Sequence, residues 1–243
     1  MDILIAIQFL TRIPVTLRSA VSNQAMASAM AWFPAVGFLI GLMAAAVHYL
    51  SSLAFAESIG DFLSVAFLIA ITGNMHGDGL MDTADGFFSG KPRERILEIM
   101  HDSRVGSHGV MAGAGLFLAK FLFLAQVPAS LKYPALVIFP VFGRWTQVYA
   151  ATLYPYVSRT SGTGSFASSV GRREIALASA FTLAAAALLL GPMKCIGAAV
   201  FALAAATLVT RLAYSKIGGI TGDVLGAVNE GAELACLLFL GHV

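Results

Sequence analysis

Apolar stretches of roughly 20 residues, the length a helix needs to cross a bilayer, follow one another along this chain. They fall at 30–50, 61–85, 110–127, 133–154, 175–190, 196–214 and 224–240, with short charged segments between them. Only 12% of the 243 residues are charged and 58% are apolar, where soluble domains carry about 25% charged residues. Mean hydropathy is +0.82. So few charges could not clothe a soluble core of this size. The expected fold is therefore all-α: a polytopic transmembrane bundle of about seven spans forming one domain over the chain. Residues 1–12 lack a basic n-region and a small-residue cleavage site, so they do not read as a secretory signal. Too short to span, they read as an interfacial or re-entrant helix ended by Pro14.

The charges between the stretches alternate. Arg12 and Arg18 precede the first, Lys91, Arg93, Arg95 and Arg104 follow the second, Arg159, Arg172 and Arg173 follow the fourth, and Lys216 follows the sixth. The intervening connections hold Lys132 and Lys194 beside Glu57 and Asp61. By the positive-inside rule the N-terminus and the basic connections face the cytoplasm. A net charge of +2 is too small to suggest nucleic acid. Cys195 and Cys236 lie in apolar runs without metal-ligand spacing and read as small buried hydrophobes.

Against this background the acids stand out. Six of the thirteen fall between Asp78 and Asp102, and a carboxylate at bilayer depth costs about 2.5–3.5 kcal/mol even on lenient scales. At 100° per residue Asp78, Asp82 and Asp85 lie at about 0°, 40° and −20°, on a single helix face. Gly90 and Pro92 break the chain, and beyond them Glu98 and Asp102 stand at i, i+4 on a second helix. Two acidic stripes folded against each other would set five carboxylates around a small volume, an oxygen-only site suited to Mg²⁺. His76 falls on the opposite face and His101 turns away from Glu98, so zinc is not expected. Metal beside Lys91 and Arg104 points to a phosphate or diphosphate substrate at the cytoplasmic interface. Arg144, inside the fourth stretch, needs an acid or a substrate phosphate as partner. Asp223 is expected at the site, Glu230 in a structural or substrate-orienting role, and the 160–166 loop as a cover or a linker. A transporter using intramembrane acids is the alternative, but it predicts acids near the midplane and internal repeats. Here the acids cluster at one interface and no repeat is visible.

The segments His76-Gly-Asp78-Gly-Leu-Met-Asp82-Thr-Ala-Asp85-Gly86 and Leu97-Glu-Ile-Met-His-Asp-Ser-Arg-Val-Gly106 resemble the cobalamin synthase (adenosylcobinamide-GDP ribazoletransferase) family. Further matches lie at Phe9-Leu-Thr-Arg-Ile-Pro-Val15, Phe33-Pro-Ala-Val-Gly37 and Thr221-Gly-Asp-Val-Leu-Gly-Ala227 with Glu230. One departure is His101, where the family pattern has Arg. The resemblance implies transfer of the cobinamide phosphate from adenosylcobinamide-GDP to the ribosyl 3′-hydroxyl of α-ribazole or its 5′-phosphate, releasing GMP. It implies Mg²⁺ held by Asp78, Asp82, Asp85, Glu98 and Asp102, with Asp85 and Asp102 catalytic. Substrate contacts would come from His76, Lys91, Ser103, Arg104, Arg144, Asp223 and Glu230. The site would face the cytoplasm from the bacterial inner membrane, with association of several copies left open. The paired acids are also similar to those of CDP-alcohol phosphotransferases, an analogy that suggests Asp102 as the base.

Overall fold

The structure, a computed structural model, describes residues 1–17, 20–157 and 165–243. Arg18, Arg159 and residues 160–164 of the anticipated cover loop lie outside the described residues. The described residues form eleven α-helices: α1 (Asp2–Leu10), α2 (Asn23–Ala29), α3 (Phe33–Ser52), α4 (Glu57–Thr72), α5 (Met75–Phe88), α6 (Arg93–Met100), α7 (Ser107–Gln126), α8 (Lys132–Leu153), α9 (Arg172–Leu190), α10 (Pro192–Ile217) and α11 (Gly222–Leu240). A 3₁₀ turn at Met30–Trp32 joins α2 to α3, and another covers Ser165–Ser169. The all-α expectation holds. Among the described residues the one β contact is an isolated bridge between Tyr156 and Ile220, just before α11.

Four segments are long and apolar enough to cross a membrane, Asn23–Ser52, α7, α9 and α10, or five if the bent pair α4–α5 is one span. The seven expected spans are not reached on that criterion. α8 and α11 are long, but they lie inside the bundle and carry polar side chains. Every residue of α8 from 135 to 148 is buried, and so is most of α11. Their neighbours, not lipid, set their composition.

The expected span 61–85 is not one straight helix. Gly73 and Asn74 take left-handed backbone, φ 61° and 58°, and the chain bends by 86° between α4 and α5. Left-handed φ is open to Gly and tolerated by Asn, so this dipeptide ends α4 and restarts the chain in a new direction. The acids of α5 thus ride on a separate short helix. Arg12 braces the break: its backbone N–H donates to Ile71 O at 2.7 Å.

Glycines set the closest crossings. A Cβ on Gly37 or Gly41 of α3 would stand 2.6 Å from Pro140 O or 2.5 Å from Val137 O of α8. A Cβ on Gly79 of α5 would stand 2.8 Å from Asp223 O, and one on Gly226 of α11 would stand 2.8 Å from His76 O. Backbone therefore meets backbone where α5 crosses α11, as small residues allow in apolar bundles. That crossing positions the acids.

Candidate functional site

Asp78 is exposed, Asp82 half-buried and Asp85 buried along α5, as expected of one stripe turning into the protein. Because Gly79 lets α11 approach, Asp223 in the first turn of α11 joins them. The charged groups acting on Asp82 are Asp78, Asp223, Asp85 and His101. Thr221 caps α11, its hydroxyl accepting from Val224 N at 3.2 Å and donating to Asp223 Oδ2 at 3.3 Å.

Asp85 serves differently from expectation. One carboxylate oxygen accepts the N–H of Gly106 at 2.7 Å and the other that of Gly109 at 2.8 Å. These are orphan donors at the N-terminus of α7, which has no cap from its own side chains. A carboxylate there also meets the positive end of the helix dipole. Side chains at 106 or 109 would collide with it. Asp85 is thus an anchor between α5 and α7, and the structure gives no support to its expected metal or catalytic place.

The second acidic stripe does not form. α6 ends at Met100, so Asp102 lies beyond the helix and not one turn above Glu98. Its carboxylate takes Arg104 in a fork, Nε at 3.0 Å and Nη2 at 2.7 Å, and a third bond from Arg104 N at 3.0 Å. These bonds hold Asp102 down to a pKa of about 2. A carboxylate so acidic is a poor proton acceptor near neutrality, which counts against the role of base. Arg104 is correspondingly occupied. Glu98 is exposed and pairs with Arg95 at 2.7 Å. Lys91 and Ser103 are exposed, while Arg93 donates to Ile217 O at the end of α10.

Arg144 and Glu230 belong to a buried network beneath the acids. Arg144 pairs with Glu233 and donates through Nη2 to His76 Nδ1 at 3.3 Å. Lys120 Nζ stands 2.5 Å from both Glu230 and Glu233, and Asn229 donates to Glu233 at 3.0 Å. Two cations thus balance two carboxylates between α7, α8 and α11. Arg144 therefore has its acid. A cavity of about 290 Å³ adjoins the network. Lys120 was not among the expected site residues, although a lysine in the middle of an apolar stretch is itself a signal.

Two hollows flank Asp78. The open one, about 410 Å³, is lined by Gln8, Thr11, Arg12 and Asn74 among others. Arg12, expected as a topology signal and as part of the Phe9–Val15 match, here shares a groove with an acid of the site. The second, about 190 Å³, lies between Asp78 and Asp223 and aromatic side chains.

Hard cations fit this chemistry. Among the described residues no three His, Cys, Asp or Glu converge tightly enough to cage an ion. Mg²⁺ commonly uses one or two carboxylates, waters and substrate phosphates in place of an all-protein cage. Asp78, Asp82 and Asp223 beside an open groove offer that kind of half-site.

A family model described as cobalamin-5-phosphate synthase matches residues 2–241. The chain is 39% identical to the adenosylcobinamide-GDP ribazoletransferase of Desulforamulus reducens, over 98% of this chain and 96% of that protein. Proteins of the same name from Geotalea daltonii and Thermoanaerobacter pseudethanolicus are 38% and 35% identical, each over 97% of this chain and 95% of the relative. No solved structure matches.

Proposed function

The chain belongs to the cobalamin-5-phosphate synthase family, and on that premise we propose that it transfers a cobinamide phosphate from adenosylcobinamide-GDP to α-ribazole or its 5′-phosphate. The observation that carries the reading is the meeting of Asp78, Asp82 and Asp223 at the α5–α11 crossing, beside a groove that Arg12 shares. We assign Asp78 and Asp82 to Mg²⁺, Asp223 to the attacking hydroxyl, and Arg12 to the diphosphate. A bound Mg²⁺ would polarise the diphosphate and offset the charge on departing GMP.

The chain's own residues do the rest. Arg12 orients the diphosphate along the groove. Asp223, in the wall of the smaller hollow, accepts the proton of the attacking ribosyl hydroxyl. The hydroxyl oxygen bonds to the cobinamide phosphorus, the bond from that phosphorus to the bridging oxygen breaks, and GMP leaves. Asp85 holds α7 against α5, and the buried network holds α7, α8 and α11 around the site. By the positive-inside rule this end of the bundle faces the cytoplasm of a bacterial inner membrane.

The test is GMP release by protein purified into lipid nanodiscs, from adenosylcobinamide-GDP and α-ribazole. Turnover that needs a divalent cation is expected. Folded protein that releases no GMP, with or without Mg²⁺, would overturn the assignment.

A further inference from the structure

The smaller hollow beside Asp78 has a composition unlike the rest of the site. Phe9, Phe33 and Phe166 line it together with His76, Gln147 and Asp223. Phe9 stacks on Phe33 with centroids 5.9 Å apart and meets Phe166 edge-on at 5.4 Å. The three rings form one contiguous aromatic wall, the kind of surface on which a flat ring system stacks. At about 190 Å³ it is smaller than the roughly 300–1,000 Å³ clefts that take a whole drug-sized ligand. It holds one moiety and excludes a corrinoid.

Two buried polar atoms in this wall lack partners. His76 is 3% exposed and its Nε2 has no hydrogen bond; Gln147 is 4% exposed and its Oε1 has none. The chemistry of each is fixed. Arg144 can only donate, so His76 Nδ1 must accept, and the ring proton sits on Nε2. The wall therefore offers one N–H donor and one carbonyl acceptor, both left wanting. A buried polar group without a partner costs about 1–3 kcal/mol, so the pair describes a missing ligand.

Resting on the proposed ribazole transfer, we infer that this hollow is the acceptor subsite. The apolar bicyclic base of the ribazole nucleoside stacks among Phe9, Phe33 and Phe166. Its single free ring nitrogen accepts from His76 Nε2–H, and a ribose hydroxyl donates to Gln147 Oε1. The sugar then lies toward Asp223 and Asp78, where its attacking hydroxyl meets the phosphate. The guanine of GDP fits less well. Its edge carries several donors and acceptors, and the aromatic wall would leave most of them unpaired.

The inference is tested by equilibrium dialysis of α-ribazole against the nanodisc-embedded protein, without corrinoid. Phe9→Ala should weaken α-ribazole binding about tenfold. Phe9→Tyr should restore binding. Ligand chemistry tests the His76 contact without touching the fold: 5,6-dimethylindole, which lacks the free ring nitrogen, should bind roughly tenfold or more weakly than 5,6-dimethylbenzimidazole. Equal binding of those two compounds, unchanged α-ribazole affinity in Phe9→Ala, or displacement of α-ribazole by GMP would each overturn the subsite. Wild-type protein that binds α-ribazole as described but never releases GMP would count against the transfer reading and leave the subsite standing.

Discussion

Asp85→Asn separates an anchor from a metal ligand. In the structure the two carboxylate oxygens accept one N–H each, from Gly106 and Gly109, and the residue is 8% exposed. A carboxamide keeps one acceptor and turns an NH₂ toward the other N–H. Losing a hydrogen bond to a charged group costs about 1.5–3 kcal/mol. Removing the charge from the helix N-terminus adds about 0.3–1 kcal/mol. The sum, about 2–4 kcal/mol, should lower the unfolding midpoint by roughly 4–16 °C in a chain of this length. The assay is thermal unfolding in nanodiscs, with EDTA and again with saturating Mg²⁺. The expected result is a lower metal-free midpoint with the increment from Mg²⁺ retained. An unchanged metal-free midpoint with the increment abolished would refute the argument and return Asp85 to the metal set.

Other outcomes follow from the same geometry. Glu233→Leu strands Lys120 and Arg144 in the interior with only Glu230 between them, so unfolding should show a loss of about 3–5 kcal/mol. Gly79→Ala would bring a methyl within 2.8 Å of Asp223 O; an overpacking cost of about 1–3 kcal/mol and a fall in kcat are expected, and wild-type kinetics would contradict the role of the crossing. The Asp102–Arg104 pair has its own pH signature. Its folded pKa of about 2 lies below the ordinary 3.8, so its stabilisation is present above the ordinary value and lost as pH falls toward 2. Across the neutral range it is constant. Asp102→Asn should accordingly leave the acid limb of the pH–rate profile in place, and a displaced limb would restore Asp102 as the base.

Much of this was legible in the sequence because it depends on local spacing. The all-α character came from run lengths, and the shared face of Asp78, Asp82 and Asp85 from the helical period. What escaped depends on how helices cross. Gly73 and Asn74 take the left-handed turn that splits the expected second span, and the length of the apolar run does not mark it. Gly79 and Gly226 draw Asp223 to Asp82, a contact between residues far apart in the chain that no spacing encodes. Glu98 and Asp102 satisfied the i, i+4 rule on paper, yet α6 stops at Met100 and its neighbouring arginines take both acids. Lys120 and Arg144 needed acids, but only the bundle shows that Glu230 and Glu233 are those acids. The same holds for Arg12, whose groove exists only after α4 and α5 have bent apart.

The central claim, that the acids at the α5–α11 crossing hold a metal for phosphoryl transfer, is tested most directly by Asp82→Cys. A thiolate favours softer metals over Mg²⁺. GMP release by this variant should be lost with Mg²⁺ and regained with the thiophilic Cd²⁺, while the wild type shows no such preference. Full turnover of Asp82→Cys with Mg²⁺ alone would contradict the account.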